Sequence, residues 1–296
     1  VAQVPWARHG AGHTYAFDDQ VAWLVTHTAK STLVELMRVA WRTVGSIVER
    51  VVADGRAAAD PFDGLRRIGI DEMSYKRGHR YLTVVVDHDS GRLVWAAVGH
   101  DKATLGAFFD QLGEARCAHV DLVSADGAGW IDDVVADRCP GAKRVMDAFH
   151  LVRWASDALD EVRRETWNQA RRDGGDRALA ERLKGCRYAL WKNPENLTGR
   201  QRAKLAWVAY TNRRLYRAYL LKEELRLAVK LKGEQGVTLL AHWLNWASHC
   251  RIGAFVELAR RLRRHRHAIE DALRTNTSNA LTESTNTKLR VLTRMA

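Results

Sequence analysis

The chain has 296 residues, of which 46% are hydrophobic, enough for two or three domains with at least one substantial core. It carries 47 Lys and Arg against 35 Asp and Glu, a net charge of +12, which points either to a DNA or RNA partner held by counterion release or to a merely solvated basic surface. A membrane span needs roughly 18 uncharged apolar residues, and the longest candidate, Leu33 to Val52, is interrupted by Glu35, Arg38, Arg42, Glu49 and Arg50.

The opening VAQVPWARHG has no apolar block, so no signal peptide is expected, and the protein is expected to be cytoplasmic. Residues 18–54 predict three short helices. The first carries Val21, Leu24 and Val25, with Asp18 as N-cap. The second is capped by Ser31 and shares Leu33, Leu36 and Met37 on one face. The third, WRTVGSIVERVVAD, turns Val44, Ile47, Val48 and Val51 inward. Two short helices around a tight turn match a helix-turn-helix with Arg42, Thr43 and Ser46 toward the major groove; a plain three-helix cap is the alternative. GRAAADPFDG, residues 55–64, reads as a linker.

Strand texture follows. LRRIGIDEMS is the first strand, and YLTVVVDH and RLVWAAVG form a hairpin about Asp89 to Gly91. KATLGAFFDQLGEA is helical through Leu105, Phe108, Phe109 and Leu112. HVDLVSAD is a fourth strand, GWIDDVVADRC a helix and AKRVMDAFH a short fifth strand. The order β-β-β-α-β-α-β predicts an α/β fold, an RNase H-like mixed sheet covered by helices. From Leu151 to about Arg266 the pattern is helical, broken at 173–176, 193–199 and 233–236, and a last helix begins near Ser278 or Asn279. The expected organisation is a helix-turn-helix region at 1–54, the linker at 55–64, the first part of the RNase H-like core at 65–172, a helical insertion at 173–275 and the core's last helix at 276–296. Cys117, Cys139, Cys186 and Cys250 form no C-x-x-C pair, which argues against a zinc knuckle or disulfide framework among them.

The acidic residues fall suggestively. Asp71 ends the first strand, Asp126 ends the fourth and Glu283 lies in the first turn of the last helix. First and fourth strands are neighbours in an RNase H-like sheet, so two strand-end carboxylates and one from a packed helix would make an oxygen-rich pocket suited to Mg²⁺ or Mn²⁺. Two ions roughly 3.5–4 Å apart would serve in-line displacement at phosphorus. Singly, each carboxylate could instead cap a turn or a helix. Glu72 points to the other face of its strand, a structural position. Asp87 could support the site or cap the hairpin turn. Asp147 and His150 flank Phe149 near the fifth strand's end, where His150 could contact a phosphate, orient a ligand or be structural. Glu283, Asn286, Thr287, Arg290 and Arg294 form one helical stripe, either a metal pocket opening onto a phosphate track or a solvated face. The tryptophans of the insertion, Trp154, Trp167, Trp191, Trp207, Trp243 and Trp246, read mainly as core.

Four blocks in order, IGIDEMSYKRGHRYLTVVVDHDSGRLVW, VSADGAGW, VMDAFHLVRWASDALDEVRRE and ALTESTNTKLRVLTR, resemble the ISL3 family of insertion-sequence transposases. The likeness extends upstream through VPWAR and VAWRTVGSIVERVV, so it covers nearly the whole chain. The resemblance implies that Asp71, Asp126 and Glu283 are a DDE triad, which Asp87, Asp147, His150 and Asn286 could support from their positions. It implies a bacterial enzyme that binds two Mg²⁺ or Mn²⁺ ions, cleaves double-stranded DNA at inverted-repeat ends and transfers the strand to target DNA. Arg42, Thr43, Ser46, Arg290 and Arg294 would contact DNA, on which the protein would be a homodimer or higher oligomer, without a membrane. An RNase H-like nuclease without joining activity and an inactive, transposase-derived regulator are the alternatives. The family usually carries an N-terminal cysteine-rich zinc module, whereas no cysteine precedes Cys117, and the chain opens on Val; both suggest that a longer protein continues beyond these ends.

Overall fold

The computed structural model describes residues 4–9, 11–76, 78–146, 148–172, 176–275 and 280–295; the side chains of Lys76, Ala148, Phe149, Ala280 and Glu283 lie outside that description. The chain divides into two compact units, Val1–Val120 with Ala280–Ala296, and Asp121–Asn279.

In the first unit, α1 (Tyr15–Val25), α2 (Lys30–Met37) and α3 (Trp41–Ala58) bury Val21, Leu33, Val44 and Ile47 against one another. The helical spacing is as expected, but the ends are not. Asp18 does not cap α1: Thr14 does, its hydroxyl accepting from the Phe17 N–H at 3.2 Å. Asp18 is instead fully buried, with Arg8 at 2.6 Å and Arg50 at 3.3 Å. A carboxylate out of water needs cations more than a helix end needs a carboxylate. Ala29, not Ser31, holds the N-cap position of α2, and Leu36 points outward while Val34 packs on the core. The third helix runs past the expected linker boundary to Ala58, because the alanines that follow Gly55 favour helix enough to offset its cost of about 1 kcal/mol.

Three antiparallel strands follow, β1 (Arg67–Lys76), β2 (Arg80–Asp87) and β3 (Leu93–Val98), in spatial order β3-β2-β1. Register places Gly69 opposite Val86 and Asp71 opposite Val84. Asp71 therefore lies within β1, not at its end, because pairing with β2 continues through Glu72↔Thr83 and Met73↔Leu82. The helices α4 (Lys102–Leu112), capped by Asp101, and α5 (Glu114–Cys117) complete this stretch, with Leu105, Phe108, Phe109 and Leu112 buried as expected.

The second unit opens with a βαβ element: β4 (Leu122–Ala125), α6 (Gly129–Arg138) and β5 (Lys143–Met146), the strands parallel with Leu122 opposite Lys143 and Ala125 opposite Met146. Antiparallel and parallel pairing in one chain give the mixed α/β class that the element order predicts. The fifth strand stops at Met146 rather than reaching His150, since a four-residue partner leaves nothing further to pair with. The chain enters α7 (Ala148–Arg172), whose Leu151, Ala155, Leu159 and Val162 repeat at helical spacing and are buried. Among the described residues seven α-helices follow: α8 (Arg177–Lys184), α9 (Arg187–Trp191), α10 (Gly199–Thr211), α11 (Arg213–Leu231), α12 (Gly233–His249), α13 (Gly253–Arg264) and α14 (Arg266–Thr275). Their apolar faces form one core centred on Trp243, whose indole N–H donates to Leu221 O at 2.7 Å. The last helix, α15 (Ala280–Met295), returns to the first unit. Ser278 and Asn279, its expected caps, lie outside the described residues.

Candidate active site

Two carboxylates of the expected triad are described with their surroundings. Asp71 is half-buried on β1, its Oδ1 accepting from the Glu72 N–H at 2.8 Å and its Oδ2 from Asn286 Nδ2 at 2.6 Å. That second bond joins residues 215 apart in the chain and seats α15 on β1. Gly69 lies two residues before Asp71, on the same strand face. A Cβ there would stand 2.8 Å from Thr282 Oγ1 and 3.0 Å from both His88 Nε2 and Val86 Cγ2. Thr282 and Asn286, one helical turn apart, thus lie over Gly69 and Asp71, and only glycine admits the helix so closely.

Glu283 adjoins Thr282 on this helix; its side chain is outside the described residues, as is Asp147 entirely. Thr287, Arg290 and Arg294 of the same stripe are exposed. Beside Asp71, the buried Oδ1 of Asn286 and Oγ1 of Thr282 have no hydrogen-bond partner among the described residues. An acidic carboxylate with two neutral oxygens beside it has the hard-donor chemistry that a divalent cation such as Mg²⁺ takes, while among the described residues no three His, Cys, Asp or Glu converge to hold one.

Asp126 immediately follows β4, its Oδ1 accepting from the Ala128 N–H at 3.0 Å. Beneath it lies a residue that the sequence reading missed. Arg144, on β5, donates to Asp132 Oδ1 at 2.8 Å, to Ala125 O at 3.2 Å, and also to the carbonyls of Val145 and Asp126. One guanidinium therefore ties together the ends of both parallel strands. Burial lowers its pKa from the ordinary value, and the charge of Asp132 opposes that shift. Gly127 is pressed by neighbours in turn: a Cβ would be 2.5 Å from Met146 Cε and 3.0 Å from Trp154 Cη2.

Among the supporting residues, Asp87 is buried and accepts from the N–H of Asp89 at 3.0 Å, from the N–H of Ser90 at 3.2 Å and from the Ser90 hydroxyl. It caps the hairpin turn. His150 lies in the first turn of α7, its ring 6.4 Å from that of Trp154. On α3, Arg42 and Ser46 are exposed and Thr43 is half-buried, opposite the packed Val44 and Ile47.

Residues 68–296 match the transposase model of the ISL3 DDE type, and residues 2–52 match the helix-turn-helix domain of transposase family ISL3. The chain belongs to the ISL3 family of transposases. It is 61% identical to the transposase for insertion sequence element IS1557 of two Mycobacterium tuberculosis strains, an alignment covering all of this chain and 71% of that protein. The transposase for insertion sequence element IS1001 of Bordetella parapertussis is 28% identical, over 86% of this chain and 63% of its own length. The N-terminal helices of this family member are thus a helix-turn-helix, as expected, rather than a plain helical cap. Among the described residues no helix is long and apolar enough to cross a membrane.

Neither Gly69 nor Thr282 nor Arg144 stands out in the sequence. The signal for the first two was the i, i+4 spacing of Thr282 and Asn286 on a helix with a glycine–aspartate pair waiting on a strand. Arg144 carried no signal, since a basic residue beginning a short strand is unremarkable.

Proposed function

We propose that this ISL3-family chain performs transposition as a metal-dependent phosphoryl transferase, cutting at the inverted-repeat ends of an insertion sequence and joining them to target DNA in the bacterial cytoplasm. The observation that carries the proposal is the Asn286–Asp71 hydrogen bond, which brings the Glu283-bearing helix against the strand of the first aspartate. Asp71, Asp126 and Glu283 would hold the ions, Mg²⁺ or Mn²⁺, two in number, which when bound activate the attacking oxygen and stabilise the departing one.

The chain's own residues have distinct tasks. Asn286 fixes the Asp71 carboxylate by donating to one of its oxygens. Arg144 fixes the strand end from which Asp126 emerges. Arg42, Thr43 and Ser46 read the inverted repeat, while Arg290 and Arg294 hold backbone phosphates. His150 would contact the phosphate, and Asp147 would support the carboxylates. The reaction needs no covalent link to protein. Water attacks the phosphodiester at the element's end and frees a 3′-hydroxyl, which then attacks a target phosphodiester and displaces that strand's own 3′-oxygen. A homodimer or larger assembly brings two ends together.

The test is a joining assay with purified protein, Mg²⁺, pre-cut duplexes carrying the element's ends, and supercoiled plasmid. Joined products are expected, and their loss with Glu283→Gln. Cutting without joining would make the protein a nuclease; binding without nicking would make it a regulator.

A further inference from the structure

Within the second unit, Gly127 borders a cavity of about 800 Å³ between α7 and α13. Its α13 side is strongly basic. Phe255, Leu258, Ala259 and Leu262 turn that helix's apolar stripe into the core, which leaves Arg261 and Arg264 facing the cavity, with His265 just beyond the helix. Neither arginine has an ion-pair partner among the described residues. Arg260 and Arg263, on the same helix, are engaged: the first pairs at 3.1 Å with Glu257, which itself lines the cavity, and the second donates to Leu244 O at 3.3 Å.

Arg261 is also pre-set. Its guanidinium carbon lies 3.5 Å from the Trp154 ring centre, so the flat face is stacked on the indole while the N–H edge stays available. A planar guanidinium fixed by its face is suited to bidentate donation to an oxyanion. The neighbouring charges repel one another. Burial lowers the pKa of Arg261 and Arg264 lowers it further, against the pull of Asp126. Burial likewise lowers His265, which Arg261, Arg264 and Arg144 depress further, while Asp132 pulls the other way. A cluster of cations that weaken each other is relieved by an anion.

The cavity has acids too. Arg164 lines it but pairs with Asp160 at 3.4 Å, Asp157 and Glu161 on α7 give that wall the opposite sign, and the one acid on the α13 side, Glu257, is neutralised by Arg260. A strand of phosphates would therefore lie along α13 and avoid α7. A second, smaller cavity of about 270 Å³ shares Gly127, Arg264 and His265 and is lined by Asp126 itself. The basic wall thus leads to the carboxylate.

We propose that Arg261 and Arg264, with Trp154 orienting the former, are the binding site for the DNA backbone phosphates that flank the bond cleaved at Asp126. This rests on the catalytic reading of Asp126, and it names where that substrate is held. Specificity would not come from this site, since phosphates carry no base information.

The test measures binding of the full chain, without divalent metal, to a duplex carrying the element's end. Each phosphate contact contributes ~0.9 to the slope of log affinity against log salt, so R261A/R264A should flatten it by about 1.8. Affinity at low salt should fall at least roughly tenfold. Arg263→Ala removes one charge from the same helix without unpairing an acid of the cavity, and should leave the slope near wild type. A single methylphosphonate at the phosphates flanking the cleavage position should weaken wild type and not R261A/R264A. Arg264→Ala alone, an exposed side chain, should flatten the slope by about 0.9, and R261K/R264K should restore it. An unchanged slope, equal losses in Arg263→Ala and Arg264→Ala, or undiminished methylphosphonate sensitivity would overturn the proposal. No cleavage step enters these measurements. Failure of the catalytic reading would appear separately, as cleavage by Asp126→Asn.

Discussion

Asp71 is held by amides and Asp126 is surrounded by arginines. At the first, a backbone N–H and the Asn286 carboxamide grip the carboxylate, with the buried hydroxyl of Thr282 on the next helical turn. At the second, Arg144 clamps the backbone below, and the charge of Asp126 acts on Arg261. The two strands differ as well: β1 is ten residues long and paired along most of its length, whereas β4 has four residues. Two acidic residues that look alike in a sequence are therefore built for different neighbours. One environment offers oxygens to a cation, and the other offers cations to an anion.

The largest expected effect makes the carboxylates look the same, and its companion measurement separates them. Asp71→Asn and Asp126→Asn should each lower the cleavage rate by about 10³-fold or more, since losing a metal ligand removes several kcal/mol of charge stabilisation and each 1.36 kcal/mol is tenfold. Metal-free DNA affinity should diverge. Removing the charge of Asp126 leaves Arg261 to phosphate alone, so Asp126→Asn should bind DNA a few-fold more tightly, and Asp71→Asn should not. Equal affinities in a filter-binding titration would erase the electrostatic distinction.

The next effect tests the two strands. Arg144→Ala strands Asp132 and three strand-end carbonyls at a largely buried position, and should cost about 2–3 kcal/mol in urea unfolding. Arg144→Lys should recover part of this, because an ammonium can pair with Asp132 but cannot span the carbonyls. Native-state hydrogen exchange should quicken across Leu122–Ala125 while β1 stays protected. Uniform loosening of both strands would show that the clamp serves general stability and does not set the position of Asp126.

How much of this was legible beforehand follows from the range of each interaction. Helix and strand existence is a local property of apolar spacing, and Val44, Ile47, Phe108 and Leu159 are buried as their periodicity requires. Ends are decided by partners far away in the chain, which is why Asp18 was drawn from a cap into a buried pair with Arg8 and Arg50. Asp71 was legible as an acid on the first strand but not as an interior residue of it, because the strand's length is set by β2. Asn286 was legible as part of a polar stripe. Its bond to Asp71, and the need for Gly69 beneath Thr282, come from a packing contact that no local pattern records. Arg144, Arg261 and His265 belong to the same class: ordinary basic residues made specific only by what surrounds them.

The smallest effect is a proton at His265. Burial holds its pKa below the ordinary value of 6.5, with the three nearby arginines adding to that and Asp132 opposing it. The folded protein therefore binds this proton less readily than the unfolded chain. Stability from this residue is complete above the unfolded pKa and declines as pH falls through it toward the lower folded value. His265→Gln should remove that decline, so variant and wild type should diverge only on the acid side of about pH 6.5, by no more than about 1.4 kcal/mol per pH unit for one proton. Asp126, His267 and Asp271 line the same cavity and are present in both proteins. A phosphate drawn into the basic wall reverses the preference by favouring the protonated ring. Acidification should then tighten DNA binding more in wild type than in His265→Gln. Superimposable pH curves, with and without DNA, would mean that His265 only fills space beside Asp126 and that the electrostatic contrast rests on the arginines alone.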